Sequence, residues 1–158
     1  MYGEYLGVEG VRMQSQRNDC GPASLMMVLE AHRIQVPYQE IKRRIPLTPQ
    51  GSSLYDLRNA ARTFGLQSEG WKLSFDDLKS KPKPLIIFLK RHHFAVLDRF
   101  EGPDIVRLRD PSVGSLRSRR SDLERVWDGP ALLFWECRHP ESCVGISAPN
   151  NPARWVEP

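Results

Sequence analysis

Cys20 has the sequence setting that a cysteine nucleophile needs. It stands directly before Gly21-Pro22, and the apolar-rich residues 23–32 that follow predict a helix. Because proline is tolerated only in the first turn of a helix, this helix begins close to Cys20. The positive end of a helix favours a thiolate, and its backbone N–H groups can stabilise an oxyanion. The alternative is a buried, unreactive thiol.

The thiol would need a base, and the adjacent His92 and His93 are the candidates. They open a predicted strand, and successive side chains of a strand point to opposite faces, so only one of the two can meet the thiol. His93 is the one followed by the apolar run 94–97. The alternative for either is a structural or surface histidine.

Asp110 is the candidate carboxylate for orienting the imidazole. It ends a second predicted strand, residues 105–109, after a short turn at Gly102-Pro103. Such a hairpin places the end of its second strand close to the start of its first, so we expect Asp110 to lie near His93. Asp110-Pro111 is also typical of a residue pair that starts a turn.

The elements that position these residues change along the chain from helices to strands. After a short strand within 5–13, helices are predicted at 20–32, with Asn18 or Asp19 as the N-cap, at 38–44 and at 54–64. A capped helical turn at 74–78 and a helix at 121–127 are predicted among strands at 66–72, 85–89, 93–100, 105–109 and 131–135. Helices followed by an antiparallel sheet predict an α+β fold.

Composition and charge indicate one ordinary globular domain. The chain has 158 residues, 40% of them hydrophobic and 27% charged. No apolar run is long enough to predict a membrane segment. The net charge of +4 is small, and its densest cluster, residues 117–120, carries no interleaved aromatic residues. We therefore expect no nucleic-acid partner and place the basic clusters in solvated loops and helix faces.

Cysteine usage leaves the compartment open. Cys20, Cys137 and Cys143 are too few for a disulfide scaffold, and their spacing does not match a zinc site. Cys137 and Cys143 could form a local disulfide or remain free thiols. No signal peptide is visible, which predicts the cytoplasm for a complete chain and the periplasm if a signal was removed. No cofactor or metal is expected, because a thiolate–imidazole pair needs none.

Several segments, taken together, resemble the C39 (bacteriocin-processing) cysteine peptidases. Those enzymes carry a glutamine before an Asp/Glu-Cys-Gly segment, and Gln14 stands at the matching distance before Asp19-Cys20-Gly21. The segments that follow one another in the family's order are 14–25, 51–57, 75–78, 93–97, 110–111 and 131–134. The resemblance covers residues 10–136.

The resemblance implies a papain-like fold and cleavage of a leader peptide after a double-glycine motif, Gly-Gly or Gly-Ala. Cys20 would be the nucleophile, and His93 the general base and then the general acid. Asp110 would orient the imidazole. The Gln14 amide would donate to the oxyanion beside the Cys20 N–H, with Gln16 as the rival donor and a solvated loop residue as the alternative.

The resemblance also sets expectations for domains and partners. Residues 1–136 are expected to form the peptidase domain and 137–158 an extension of unknown role. Family members are often the N-terminal domain of an export transporter, and this chain carries neither its membrane helices nor a phosphate-binding glycine-rich loop. The substrate would be a double-glycine leader peptide. The enzyme would stand alone or serve a transporter that is a separate chain.

Two other functions stay open at this point. One is a peptide-binding module that has lost catalysis and serves an export or assembly system. The other is a different papain-like reaction on the same residues, such as acyl transfer or isopeptide cleavage, because a fold and a triad do not fix the substrate.

Overall fold

The computed structural model describes residues 1–136, in which helices precede an antiparallel sheet. The helices are α1 (Cys20–Ala31), α2 (Tyr38–Arg44), α3 (Leu54–Thr63) and α4 (Arg120–Val126), with a 3₁₀ turn at Asp77–Ser80. The strands are β1 (Glu4–Tyr5), β2 (Leu66–Lys72), β3 (Leu85–Leu89), β4 (His93–Gly102), β5 (Ile105–Asp110), β6 (Gly114–Arg119) and β7 (Pro130–Glu136). The predicted α+β class is confirmed.

The helices form where local sequence signals predict them. α1 is apolar around most of its circumference and is buried along most of its length. α3 begins with a capping box, in which the Ser53 hydroxyl accepts from the Asp56 N–H and the Asp56 carboxylate accepts from the Ser53 N–H, both at 3.0 Å. Gly65, with φ +90°, follows its last turn.

The strands form one sheet in the order β1-β6-β5-β4-β3-β7-β2, with every described pair antiparallel. One face packs against α1, α2 and α3 through a cluster that includes Leu25, Leu57 and Phe94. The other face packs against α4 and the 3₁₀ turn through a cluster that includes Leu108 and Leu123. The sheet is therefore covered on both faces, with the helical half of the chain on one side.

The structure differs from the sequence predictions in both strands of the β1–β6 pair. The basic residues 117–119 belong to strand β6, which was not predicted, and not to a solvated loop or helix face. Leu116 and Ser118 point into the protein, while Arg117 points outward and binds Glu101 and Glu4. The strand predicted within 5–13 shortens to two residues, since Gly7 and Gly10 adopt positive φ and break its extended path.

Two further predictions concern membrane segments and the C-terminal residues. Within residues 1–136, none of the helices combines the length and apolar character needed to cross a membrane. Cys137, Cys143 and the predicted extension lie outside the described residues.

Gly114 allows the N-terminal strand to approach β6, and this generates a prediction about stability. A Cβ atom on Gly114 would lie 2.6 Å from the Gly7 carbonyl oxygen and 2.9 Å from Cε2 of Tyr5, whereas one on Gly65 would meet nothing within 4 Å. Both glycines have positive φ, so both alanine variants lose roughly 1–2 kcal/mol to backbone strain. Gly114→Ala should lose about 1–3 kcal/mol more than Gly65→Ala in urea unfolding, because it adds a clash. Equal losses would contradict the packing of residues 5–7 on β6.

Candidate active site

Cys20 is the first residue of α1 and is 3% exposed. Asp19 occupies the N-cap position, as predicted, and its carbonyl accepts from the Ala23 N–H at 3.1 Å. Its side chain, however, makes no hydrogen bond to the first turn, so the predicted side-chain cap is absent. The first-turn N–H groups of Cys20 and Gly21 are thus not taken up by an Asp19 side-chain cap.

The Asp19 carboxylate instead shapes the loop that leads to Cys20. It is fully buried and accepts from the Ser15 hydroxyl at 2.6 Å, the Gln16 N–H at 2.9 Å and the Tyr38 hydroxyl at 2.8 Å. Burial alone would raise the pKa of Asp19, but these hydrogen bonds outweigh it and lower the pKa below its ordinary value. This anchoring role was missed from the sequence.

His93 and Asp110 meet on neighbouring strands, as the hairpin predicted. Nε2 of His93 lies 2.6 Å from Oδ1 of Asp110. Val96 pairs with Arg109 in the strand register. This register places the side chains of His93 and Asp110 on the sheet face that packs against α4. Asp110 is 1% exposed.

Two residues that the sequence analysis missed complete the surroundings of Asp110. The Ser112 N–H and hydroxyl each donate to Oδ1 at 2.8 Å, and the Tyr2 hydroxyl donates to Oδ2 at 2.6 Å. Burial raises the pKa of Asp110, but the hydrogen bond and charge of His93, followed by Tyr2 and Ser112, bring it below its usual value. The Asp-Pro-Ser turn could have signalled Ser112. No local pattern pointed to Tyr2.

The His93 ring connects Asp110 to Cys20. Burial lowers the pKa of His93, but hydrogen bonds and charge from Asp110 and Cys20 outweigh this and raise it to about 9. Since Nε2 faces Asp110, Nδ1 is the nitrogen left to face the thiol. The rival His92 is exposed in a turn with φ +54°, and its ring lies 5.6 Å from that of Phe88.

Gln14 lies between the loop that precedes Cys20 and the turn that follows Asp110. Its backbone N–H donates to the Pro111 carbonyl at 2.8 Å. Its side-chain Nε2 donates to the Gln16 carbonyl at 2.8 Å and reaches the Arg17 carbonyl only at 3.4 Å, so one N–H of the amide is weakly held. The buried Oε1 has no hydrogen-bond partner among the described residues. The Gln16 side chain is exposed.

A cavity of about 620 Å³ opens beside the His93–Asp110 pair. Its wall includes three basic residues, Lys90, Arg91 and Arg125, and the acidic residue Asp122. Among residues 1–136, no three His, Cys, Asp or Glu side chains cluster as a metal-ligand set would. The site brings together a thiol at a helix N-terminus, an imidazole and a buried carboxylate, the groups that a cysteine nucleophile needs.

The chain resembles known proteins in both sequence and fold. The sequence profile of the Peptidase C39 family matches residues 9–138. The crystal structure of a double glycine motif protease from an AMS/PCAT transporter, in complex with the leader peptide, superposes with a TM-score of 0.77 and 30% identity. The match covers 80% of this chain and 91% of that chain.

Two curated relatives show the range of lengths in which the domain occurs. An uncharacterized protein of Methanothermobacter thermautotrophicus is 30% identical, over 81% of this chain and 89% of that protein. The lactococcin-G-processing and transport ATP-binding protein of Lactococcus lactis subsp. lactis is 25% identical over 77% of this chain. The match covers 18% of that transporter, so the chain corresponds to a small part of its length.

The Asp19 carboxylate generates a prediction about stability. Asp19→Asn keeps the side-chain shape but replaces one accepting oxygen with a donor, which leaves buried donors unpaired. We expect a loss of about 1–3 kcal/mol in the free energy of unfolding, measured in urea. Asp104→Asn, at a carboxylate with 61% of its side chain exposed, should change it by less than about 0.5 kcal/mol. Equal effects of the two variants would contradict the anchoring role.

Proposed function

This chain belongs to the Peptidase C39 family, and we propose that it is a cysteine endopeptidase cleaving a precursor after a double-glycine motif, Gly-Gly or Gly-Ala. The observation that carries the proposal is the line of three groups from the α1 N-terminus to the sheet: Cys20, His93 and the buried Asp110. The double-glycine specificity is supported by the 30% identical protease, whose structure holds a leader peptide.

The geometry suits hydrolysis of a peptide bond through a thioester intermediate. The Cys20 thiolate attacks the scissile carbonyl carbon, and the His93 imidazolium gives its proton to the departing amine. The amine leaves with the C-terminal part of the substrate, and the N-terminal part stays on Sγ as a thioester. His93 then takes a proton from water, whose oxygen attacks the thioester, and returns the proton to Sγ as the acid product leaves. Asp110 orients the imidazole through Nε2.

The tetrahedral intermediate needs donors for its oxyanion. We assign this role to the Cys20 backbone N–H and to the weakly held N–H of the Gln14 amide. The hydrogen bond from the Gln14 backbone to Pro111 supports the assignment, because it fixes Gln14 beside the turn that follows Asp110. Each such donor lowers the barrier by about 3 kcal/mol in comparable sites.

The relatives support a proposal for the substrate and the partner. We propose that the substrate is a leader peptide joined to a secreted peptide or protein, and that a transporter exports the product. The Lactococcus lactis relative combines processing and transport in one protein, of which this chain matches 18%. We also propose that residues 1–136 form the peptidase unit and that 137–158 are an extension to it.

Removal of the nucleophile is the direct test of this proposal. Cys20→Ala should reduce kcat/KM by at least about 10³-fold, because it removes the thiol that forms the proposed thioester. Cleavage of synthetic peptides with Gly-Gly or Gly-Ala before a reporter segment is followed by mass spectrometry. The control Cys143→Ala should cleave like the wild type.

Retained cleavage by Cys20→Ala would overturn the assignment of the nucleophile. Wild-type protein that binds these peptides without any product would instead favour a peptide-binding module. Cleavage that persists when both glycines are replaced by larger residues would favour a different peptidase specificity.

The pH profile tests the coupling of His93 to Asp110. The pKa of His93, about 9, predicts that kcat/KM falls as the pH rises through this value, because the leaving amine loses its proton donor. Asp110→Asn removes a charge that raises this pKa, so the alkaline limb should move down toward 6.5. Asp122→Asn is the control, since Asp122 lines the same cavity but binds Arg125 at 2.7 Å. An unmoved limb in Asp110→Asn would contradict the coupling.

A further inference from the structure

The N-terminal segment reaches the proposed site from outside the family's common region. Residues 1–8 precede the matched segment 9–138, and within them Tyr2 donates its hydroxyl to Oδ2 of Asp110 at 2.6 Å. The other oxygen of the same carboxylate, Oδ1, faces His93. The two oxygens of Asp110 are thus divided between the proposed base and the N-terminal segment.

The backbone around Tyr2 is held firmly against β6. The Ser118 hydroxyl donates to the Tyr2 carbonyl at 2.7 Å, and β1 continues the pairing from Glu4 opposite Arg117. Gly3 passes so close that an added Cβ would lie 2.5 Å from the Ser118 hydroxyl oxygen. The Tyr2 ring packs against the same apolar cluster as α4. The position of the Tyr2 hydroxyl is therefore set by the sheet.

We propose that Tyr2 is a positioning residue, which fixes the Asp110 carboxylate so that Oδ1 stays aligned with Nε2 of His93. The proposal rests on the function proposed above. Without the hydroxyl, Oδ2 would be a buried acceptor with one donor fewer, and the carboxylate could rotate about its Cβ–Cγ bond. Its contact with His93 would then be less well defined.

Tyr2 can perform this role over the whole pH range in which the proposed reaction runs. Burial, followed by the charge and hydrogen bond of Asp110, raises the pKa of Tyr2 well above its ordinary value, so the hydroxyl remains a donor. The other groups that face the pair are Cys20 from α1 and Ser112 from the turn after β5. Charged residues also line the adjoining cavity, namely Lys90, Arg91, Asp122 and Arg125. None of these groups donates to Oδ2 in the described structure.

The test compares Tyr2→Phe with Tyr5→Phe in the full chain. Both variants remove one hydroxyl and keep the ring, and Tyr5 is 50% exposed. The titration of His93 is followed by NMR of the imidazole signals, assigned by their loss in His93→Gln. In Tyr2→Phe the midpoint should fall from about 9 toward 6.5, by roughly one pH unit, because Asp110 is held less well. Tyr5→Phe should titrate like the wild type.

Turnover gives a second readout on double-glycine peptides. Tyr2→Phe should lower kcat about 10-fold and leave KM unchanged, because Tyr2 touches Asp110 and not the substrate. In an Asp110→Asn background the same substitution should have no further effect on kcat. Ser118→Ala, which releases the Tyr2 carbonyl and leaves the ring intact, should shift the His93 midpoint in the same direction by a smaller amount.

Failure of this proposal is distinguishable from failure of the proposed function. An unchanged His93 midpoint in both Tyr2→Phe and Ser118→Ala would overturn the role of Tyr2, whether or not the protein cleaves peptides. A loss of kcat on Tyr2→Phe in the Asp110→Asn background as large as in the wild-type background would also overturn it. If the wild-type protein cleaves none of the peptides, the proposed peptidase function is overturned. The titration of His93 would still test the positioning role of Tyr2.

Discussion

The contact between His93 and Asp110 is the interaction on which the site depends. A carboxylate with 1% of its surface exposed is costly to bury unless it is paired and hydrogen-bonded. The protein satisfies Asp110 with the imidazole, the N–H and hydroxyl of Ser112, and the hydroxyl of Tyr2. These donors come from β4, the turn after β5 and the N-terminal segment. Burial of one charge thereby holds three parts of the chain together.

A second buried carboxylate plays the corresponding part for Cys20. Asp19 gathers donors from the preceding loop and from α2, and so fixes the approach to Cys20 without capping α1. The hydrogen bond from Gln14 to Pro111 joins this loop to the turn beside Asp110. The helical half of the chain thus supplies the thiol and the sheet supplies the proposed acid–base pair, and they meet at the start of β4. The fold that brings them together is the one shared with the C39 peptidases.

Local sequence signals predicted the parts of the site that depend on local geometry. The helix beginning at Cys20 and the hairpin from His93 to Asp110 follow from helix-start and turn patterns. Strand β6 was missed because its outward-facing arginines resemble a solvated basic loop, although Glu101 and Glu4 neutralise Arg117. Tyr2 contacts Asp110 across 108 positions of the chain, and no periodicity encodes such a contact. The role of Asp19 was hidden for a different reason: an acidic residue at a helix start favours a cap.

The central claim is that Cys20 and His93 act as one unit on a glycine-containing substrate. A peptidyl chloromethyl ketone that ends in Gly-Gly would test it in one experiment, with adducts located by peptide mass mapping in the wild type and in His93→Ala. We predict rapid alkylation of Cys20 in the wild type, with little at Cys137 and Cys143, and a large loss of rate in His93→Ala. Labelling of Cys20 no faster than of the other two cysteines, or at a rate unaffected by His93→Ala, would contradict the account.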